Sequence, residues 1–387
     1  MRRRVATARP WKRKHQEKKT QKKIANALVF PSTRVYVLIM IKIIRIKMGA
    51  GLLSLAALGA CPLNEIPEGT SPQCEGSAYT AFDLEHLQGP TAQIADQTQM
   101  QALLEEALGD SALAADRFAA AQALYAQRLQ AAVRSAADDR LATGTPVGSA
   151  IDERIVSALA AGAAATTEFD IELAAETIDK ALTHFFFVSV LQELGQGEAE
   201  HWDRAFAYFG ADAANDLDRT QAFAGVAKRR DGNNGTAFEG AIFQNLVEGS
   251  CVLATRLLSA EADSVDVGAD AELSALVDEV DVAMRRVLAA SVGHEAKEIA
   301  AIQLELPSSP DDSALPNTAR VKLVELDGFF IPIELLLRAA GKDAVADAVR
   351  SPLDAALADQ TQAWLDSFDV ATMVTVLETE FAIAILE

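Results

Sequence analysis

The chain has 387 residues, half of them apolar but only 6% aromatic, which is enough for one large or two medium domains with a real core. Alanine dominates, and that favours close-packed helices over sheets. Residues 1–48 hold 15 Lys and Arg against one acid, Glu17, which leaves residues 49–387 with 20 basic and 54 acidic groups, a field that argues against nucleic acid or anionic lipid as partners of the body.

Residues 1–39 form a basic, low-complexity tail that fits no signal, and we read it as lying ahead of the true first residue, Met40 or Met48. A nucleic-acid-binding or cytoplasmic extension is the alternative. Residues 40–60 have the parts of a secretory signal. Lys42, Arg45 and Lys47 are the positive region, and Gly49 to Ala60 is an uncharged run of 12 residues, too short to span a bilayer as a helix. It ends in Leu58-Gly59-Ala60-Cys61. This resembles the lipobox of bacterial lipoproteins, and the resemblance implies cleavage before Cys61 and acylation of that residue. Several acyl chains on one residue anchor stably, where one chain alone is marginal. The expected partner is therefore a membrane, reached through lipid on Cys61.

Residues 61–92 are rich in Pro, Gly and Ser without a period and read as a flexible tether. Cys74 lies in it and Cys251 in a later helix. In an oxidising envelope the two could form a disulfide; a buried free thiol at Cys251 is the alternative.

From 93 onward nearly everything reads helical. The predicted helices cover 93–108, 111–142, 150–164, 168–195, 198–210, 215–229, 237–259, 271–304, 319–340, 343–359 and 361–386, separated by Gly, Asn and Pro clusters. Only residues 319–326, "ARVKLVEL", are ambiguous between helix and strand. Short connections between amphipathic helices predict an all-α antiparallel helical bundle over 93–387, with a division into two packed bundles near 235 left open.

Four clusters could carry chemistry. On a helical wheel, Trp202, Ala205, Phe206 and Phe209 form one apolar stripe, with Glu198 inside it and His201 at its edge. Glu198 and His201 thus have the Glu-x-x-His spacing with which carboxylate bundles bind metal; a first-turn acid beside a marginal histidine is the structural alternative. His294 and Glu298 are one turn apart and could share a cation, or could be an exposed helix face. Their block resembles the zinc-protease motif, but Glu298 replaces its second histidine. His184 lies in the all-apolar half of 171–194, where a satisfied core histidine and a ligand are both open, and Glu172 and Glu176 stand on its wetter half. Glu325 and Asp327 precede two phenylalanines in "VELDGFF", and Glu248 and Glu334 also have apolar neighbours. Buried carboxylates need a partner, a proton or a cation. Oxygen donors with a few imidazoles suit iron, manganese or zinc better than copper(I).

The blocks "EHWDRAFAYFG" (200–210) and "VELDGFF" (324–330) resemble imelysin-like helical lipoproteins of bacterial envelopes and algal periplasmic iron-assimilation proteins. The resemblance covers about 40 residues and implies an all-helical body, an envelope location and a link to iron. Where imelysin-like proteins carry Gly-x-His-x-x-Glu, this chain has Gly293 and His294 adjacent, followed by Glu295 and Glu298. The expectation is an acidic envelope lipoprotein, on the outer membrane facing the periplasm. It would bind a transition metal, iron first and zinc second, through Glu198, His201, His184 and Glu325, with His294 and Glu298 as a separate site. A structural or interaction module without metal is the alternative, and a metallopeptidase the outsider.

Overall fold

The computed structural model describes residues 84–385, apart from 139, 142–146, 211–220, 262, 309–313, 360 and 362. Cys61, Cys74, the basic tail, the signal-like run and most of the expected tether lie outside the described residues. The described chain is all-α, as expected, with no strand among the described residues, and the ambiguous run 319–326 is helical.

Two early helices differ from the expectation. α1 (Leu84–Gly109) starts within the stretch read as tether, and His86, on its first turns, contacts Asp203 at 2.6 Å. α2 (Ala114–Leu124) continues through a π-turn, Tyr125–Leu129, into α3 (Gln130–Ser135). The wider turn has a local cause. It lets Tyr125, Gln130 and Arg134 all donate to the carboxylate of Asp152, at 2.8, 2.9 and 2.6 Å. Asp152 sits on α4 (Val147–Ala164), so one buried acid ties α2, α3 and α4 together.

α5 (Glu168–Leu194) is the central helix. Thr167 caps it by accepting from the Asp170 N–H, and Lys180 to Leu191 are buried without a break. It packs against α1, α4, α6 (Ala199–Phe209), α7 (Ala222–Asn234), α9 (Ala271–Glu305) and α10 (Ala314–Ala339). The expected stripe of α6 is real: Trp202, Ala205, Phe206 and Phe209 are all fully buried. α9, the longest helix, is capped by Asp270, which accepts from the N–H groups of Glu272 and Leu273. Arg256, on α8 (Phe238–Ala260), holds that same aspartate at 2.7 Å. The chain closes with α11 (Asp343–Ala358), α12 (Ala363–Ser367) and α13 (Val370–Phe381), where a single helix over 361–386 was expected.

Helices on both sides of residue 235 contribute to one hydrophobic core. No helix among the described residues is long and apolar enough to cross a membrane.

Small residues set the closest helix approaches. A Cβ on Gly249 of α8 would lie 1.9 Å from the Trp202 ring, which is fully buried and has nowhere to go. Gly249→Ala should therefore lose about 1–3 kcal/mol of stability through overpacking. Urea unfolding followed by Trp fluorescence measures this; an unchanged midpoint would show that the α6–α8 contact is looser than described.

Candidate functional site

A cavity of about 510 Å³ lies between α1, α5, α7 and α10. Its lining is densely charged: Lys180, Lys322, Arg229 and Arg230 face Glu105, Glu176, Asp179 and Glu325. Most of these groups belong to one chain of contacts that threads five helices. Arg230 of α7 reaches Glu295 of α9 at 3.4 Å. Glu295 takes the Lys322 ammonium at 3.0 Å, and Lys322 also donates to Glu325 at 3.0 Å. Glu325 lies 3.6 Å from the ammonium of Lys180, which donates to Glu176 and Asp179 at 2.7 Å each. Asp179 in turn accepts from Gln101 of α1 at 2.7 Å.

The local sequence explains how so much charge fits. Gly328 of α10 lies against Lys180, where a Cβ would meet the lysine Cβ at 2.3 Å. The missing side chain lets α10 approach α5 closely. Phe329, the next residue, puts its ring 5.1 Å from the Lys180 ammonium. Burial pulls the Lys180 pKa down, but Asp179, Glu176 and Glu325 outweigh it, and the net shift is upward. The lysine stays charged. Burial raises the pKa of Glu176, with Lys180 opposing and Glu325 and Asp179 adding to the rise. Glu172, one turn earlier, is also raised, by burial first and then by Glu176.

Arg230 is the least satisfied member. It is 5% exposed, and its Nε and Nη1 have no hydrogen-bond partner among the described residues. Burial lowers its pKa and Glu295 only partly offsets that. Gln97, also 5% exposed and also lining the cavity, has an unpartnered Oε1. Buried polar atoms without partners are rare and costly, so their position beside a cavity is informative.

The residues singled out from the sequence fall into four places. Glu325 is at the cavity, 8% exposed and held by the two lysines. Glu198 is not within the α6 stripe. It is the extended N-cap residue of α6 and its side chain is half exposed, because the helix begins one residue after it. His201, on the rim of α6, puts Nδ1 2.6 Å from Glu193 and Nε2 3.6 Å from Glu198. The same Nδ1 lies 2.7 Å from Nη2 of Arg204, so it faces an acceptor and a donor at once. Arg204 donates to the same Glu193 at 3.0 Å and pairs with Glu200. His184 is buried on α5, with Arg154, Asp138 and Arg140 as its charged surroundings. His294 is half-buried on α9, where Asn233 donates to its Nδ1 at 3.4 Å, and Glu298 beside it is exposed. Among the described residues, no three His, Cys, Asp or Glu side chains form a group that could hold a metal ion. Cys251 is disulfide-bonded.

Sequence reasoning missed Lys180, Lys322 and Arg230. Arg230 stands in "KRRDGNNG", which reads as a turn but is the last part of α7. Lys180 had a usable signal: a lone cation between Ile178 and Ala181, on the core side of a helix and one turn after Glu176.

The pKa of His184 is pushed down to about 3, by burial first and then by Arg154 and Arg140 against Asp138. The folded chain therefore refuses a proton that the unfolded chain accepts near the ordinary value of 6.5. This group's contribution to stability is intact above that pH and falls as pH drops toward 3, by about tenfold in the folding constant per pH unit. His184→Gln should flatten the loss of stability between about pH 6 and 4, read as the slope of unfolding free energy against pH. An identical slope in the two proteins would show that other groups carry the acid sensitivity.

Comparison with protein-family models, with curated proteins and with solved structures finds no match for this chain.

Proposed function

We propose that this is a lipid-anchored envelope protein whose helical body binds a small polar solute in the cavity between α1, α5, α7 and α10. One observation carries the reading: the cavity wall is built from buried charges. An inert bundle gains nothing from Lys180, Glu325, Glu295 and Arg230 in its interior, because well-packed apolar residues are usually as stable or more so. Charges kept beside a cavity of this size fit the pattern of ligand sites. The reading is binding rather than turnover, since three of the wall's four carboxylates, Glu176, Asp179 and Glu325, are already engaged by lysines.

The sequence supports the location. The run ending in Leu58-Gly59-Ala60-Cys61 supplies a lipid attachment at Cys61, and residues 62–83 supply the distance between membrane and body. The chain has three cysteines. With Cys61 acylated, Cys74 is the mate left for Cys251, and their bridge would staple the tether to α8.

The binding reading has a direct test. Malate, phosphate, glucose, glycine betaine and putrescine sample anionic, neutral, zwitterionic and cationic solutes. At least one should raise the melting temperature by several degrees. That gain should vanish in Thr98→Trp, which places a bulky ring at an exposed position of the cavity wall. If none does so at millimolar concentration, and hydrogen exchange of α5 and α10 is also unchanged, the cavity is not a binding site.

A second reading, the transition metal expected from the sequence, has one observation in its favour: His201 stands between Glu193, on its Nδ1, and Glu198, on its Nε2, although the three do not form a group that could hold a metal ion as they stand. Arg204 supplies the positive charge there. Arg204→Gln should strengthen iron or zinc binding by about tenfold or more, and His201→Ala should abolish it, both read by calorimetry. Equal metal content in all three proteins would remove this reading.

A further inference from the structure

We propose that the solute is a small hydroxy-substituted carboxylate, its anionic end on Arg230 and its hydroxyl on Gln97. This deepens the binding reading of the same cavity and rests on it. Arg230 ends the ionic chain described above, and Gln97 stands outside it. Arg230 and Gln97 come from different helices, α7 and α1, yet both line one cavity, both are 95% buried, and both hold polar atoms without partners among the described residues.

Arg230 sets the charge of the ligand. Its one contact to an acid, Glu295, is long at 3.4 Å, and Glu295 is shared with Lys322 at a shorter 3.0 Å. The guanidinium is thus the end of the ionic chain with donors left over. Guanidinium carries only donors, and a carboxylate is the acceptor whose planar shape it fits best. The two lysines of the wall are better occupied, Lys180 with three acids around it and Lys322 with two, and Arg229 is exposed to water rather than buried. A cationic ligand would need a buried free carboxylate instead. Glu176, Asp179 and Glu325 each already hold a lysine, Glu295 lies behind both Arg230 and Lys322, and Glu105, the remaining acid of the wall, is exposed to water.

Gln97 sets the second group. Its Oε1 accepts, so it takes a donor from the ligand. A hydroxyl suits an amide in either orientation, because it both donates and accepts. A polar wall of this kind discriminates strongly against a ligand lacking the matching group, because the wall atom is then left buried and unpaired.

Calorimetry with L-malate, D-malate, succinate, phosphate, glucose and putrescine tests the assignment on the whole mature protein. One malate enantiomer should bind at least tenfold more tightly than succinate, which lacks the hydroxyl. Arg230→Gln should lose both acids. Gln97→Leu removes no ion-pair member, so it tests the assignment even if the Arg230 variant fails to fold; it should erase the malate preference and leave succinate unchanged. Succinate binding as tightly as both malates in the unaltered protein overturns the hydroxyl assignment. Phosphate binding without any carboxylate overturns the carboxylate assignment. Glucose or putrescine binding, lost in Thr98→Trp but kept in Arg230→Gln, overturns the anion assignment and leaves the cavity as a binding site. Silence from every probe overturns the binding reading itself.

Discussion

The charged side chain of Lys180 is the constraint around which the interior is arranged. An ammonium this deeply buried, 5% exposed, requires acids at hydrogen-bond distance, and three helical positions supply or support them. Glu176 and Asp179 come from its own helix at spacings the α-helix brings alongside. Glu325 must come from α10, and it reaches only because Gly328 lets the two backbones close up. Phe329 then seals the ammonium from the other side. The same short block also fixes the outer face of α10. Asp327 takes Arg350 at 2.7 Å, and Phe330 stacks under that guanidinium at 5.2 Å. Six consecutive residues, 325–330, thus register α5, α10 and α11 against one another.

Such an arrangement does not stabilise the fold in any simple sense. Two or three ions brought out of water cost several kcal/mol each, and their mutual attraction returns that only when every lone pair and proton is matched. Most of the chain of contacts is matched. The mismatch sits at one end, at Arg230, next to open volume. A network that is complete except at one cation in a cavity wall resembles a site more than a packing accident, because half-satisfied polar groups are penalised most heavily in the interior. The contrast with Asp152 is instructive. That acid is also buried, but three donors from the π-turn and α3 hold it. It serves architecture. Arg230 has the chemistry left over to serve a ligand.

Much of the fold was legible in the sequence for plain reasons. Alanine-rich stretches with apolar residues at helical spacing, bounded by Gly, Asn and Pro clusters, place nearly every helix. The apolar stripe of α6 and the all-round burial of late α5 follow from the wheel alone. Helix ends were less legible: α1 begins at Leu84, within a stretch written with turn-forming glycine and proline, and carries Pro90 as its seventh residue, on its buried side. At the site, Glu325 stood out because an acid among apolar neighbours is locally visible. Its partners did not, since Lys322, Lys180 and Arg230 come together only through the packing of α5, α7 and α10. Periodicity tells which face of a helix is buried, not which charge waits on the facing helix. Glu198 shows the opposite failure. The wheel placed it on the apolar side, but a residue at the N-cap is not on the wheel at all.

The acidic surface and the proposed ligand have to be reconciled. Residues 49–387 hold 20 basic and 54 acidic groups, and that field disfavours an anion at long range. At physiological ionic strength, however, exposed charges are screened beyond about 8 Å, so the far surface has little influence on a solute already at the cavity. What the solute meets there is local: Arg229, exposed at the wall, and then Arg230 and Lys322 further in. Inside, where water is scarce, each interaction is stronger than it would be outside. A body that is acidic overall, with cations and acids in equal number at one recess, therefore repels polyanions such as nucleic acid, whose many charges feel the whole surface. It still admits a small anion that feels only the recess. Selection by size comes from the reach of the electrostatic field, before any hydrogen bond is formed.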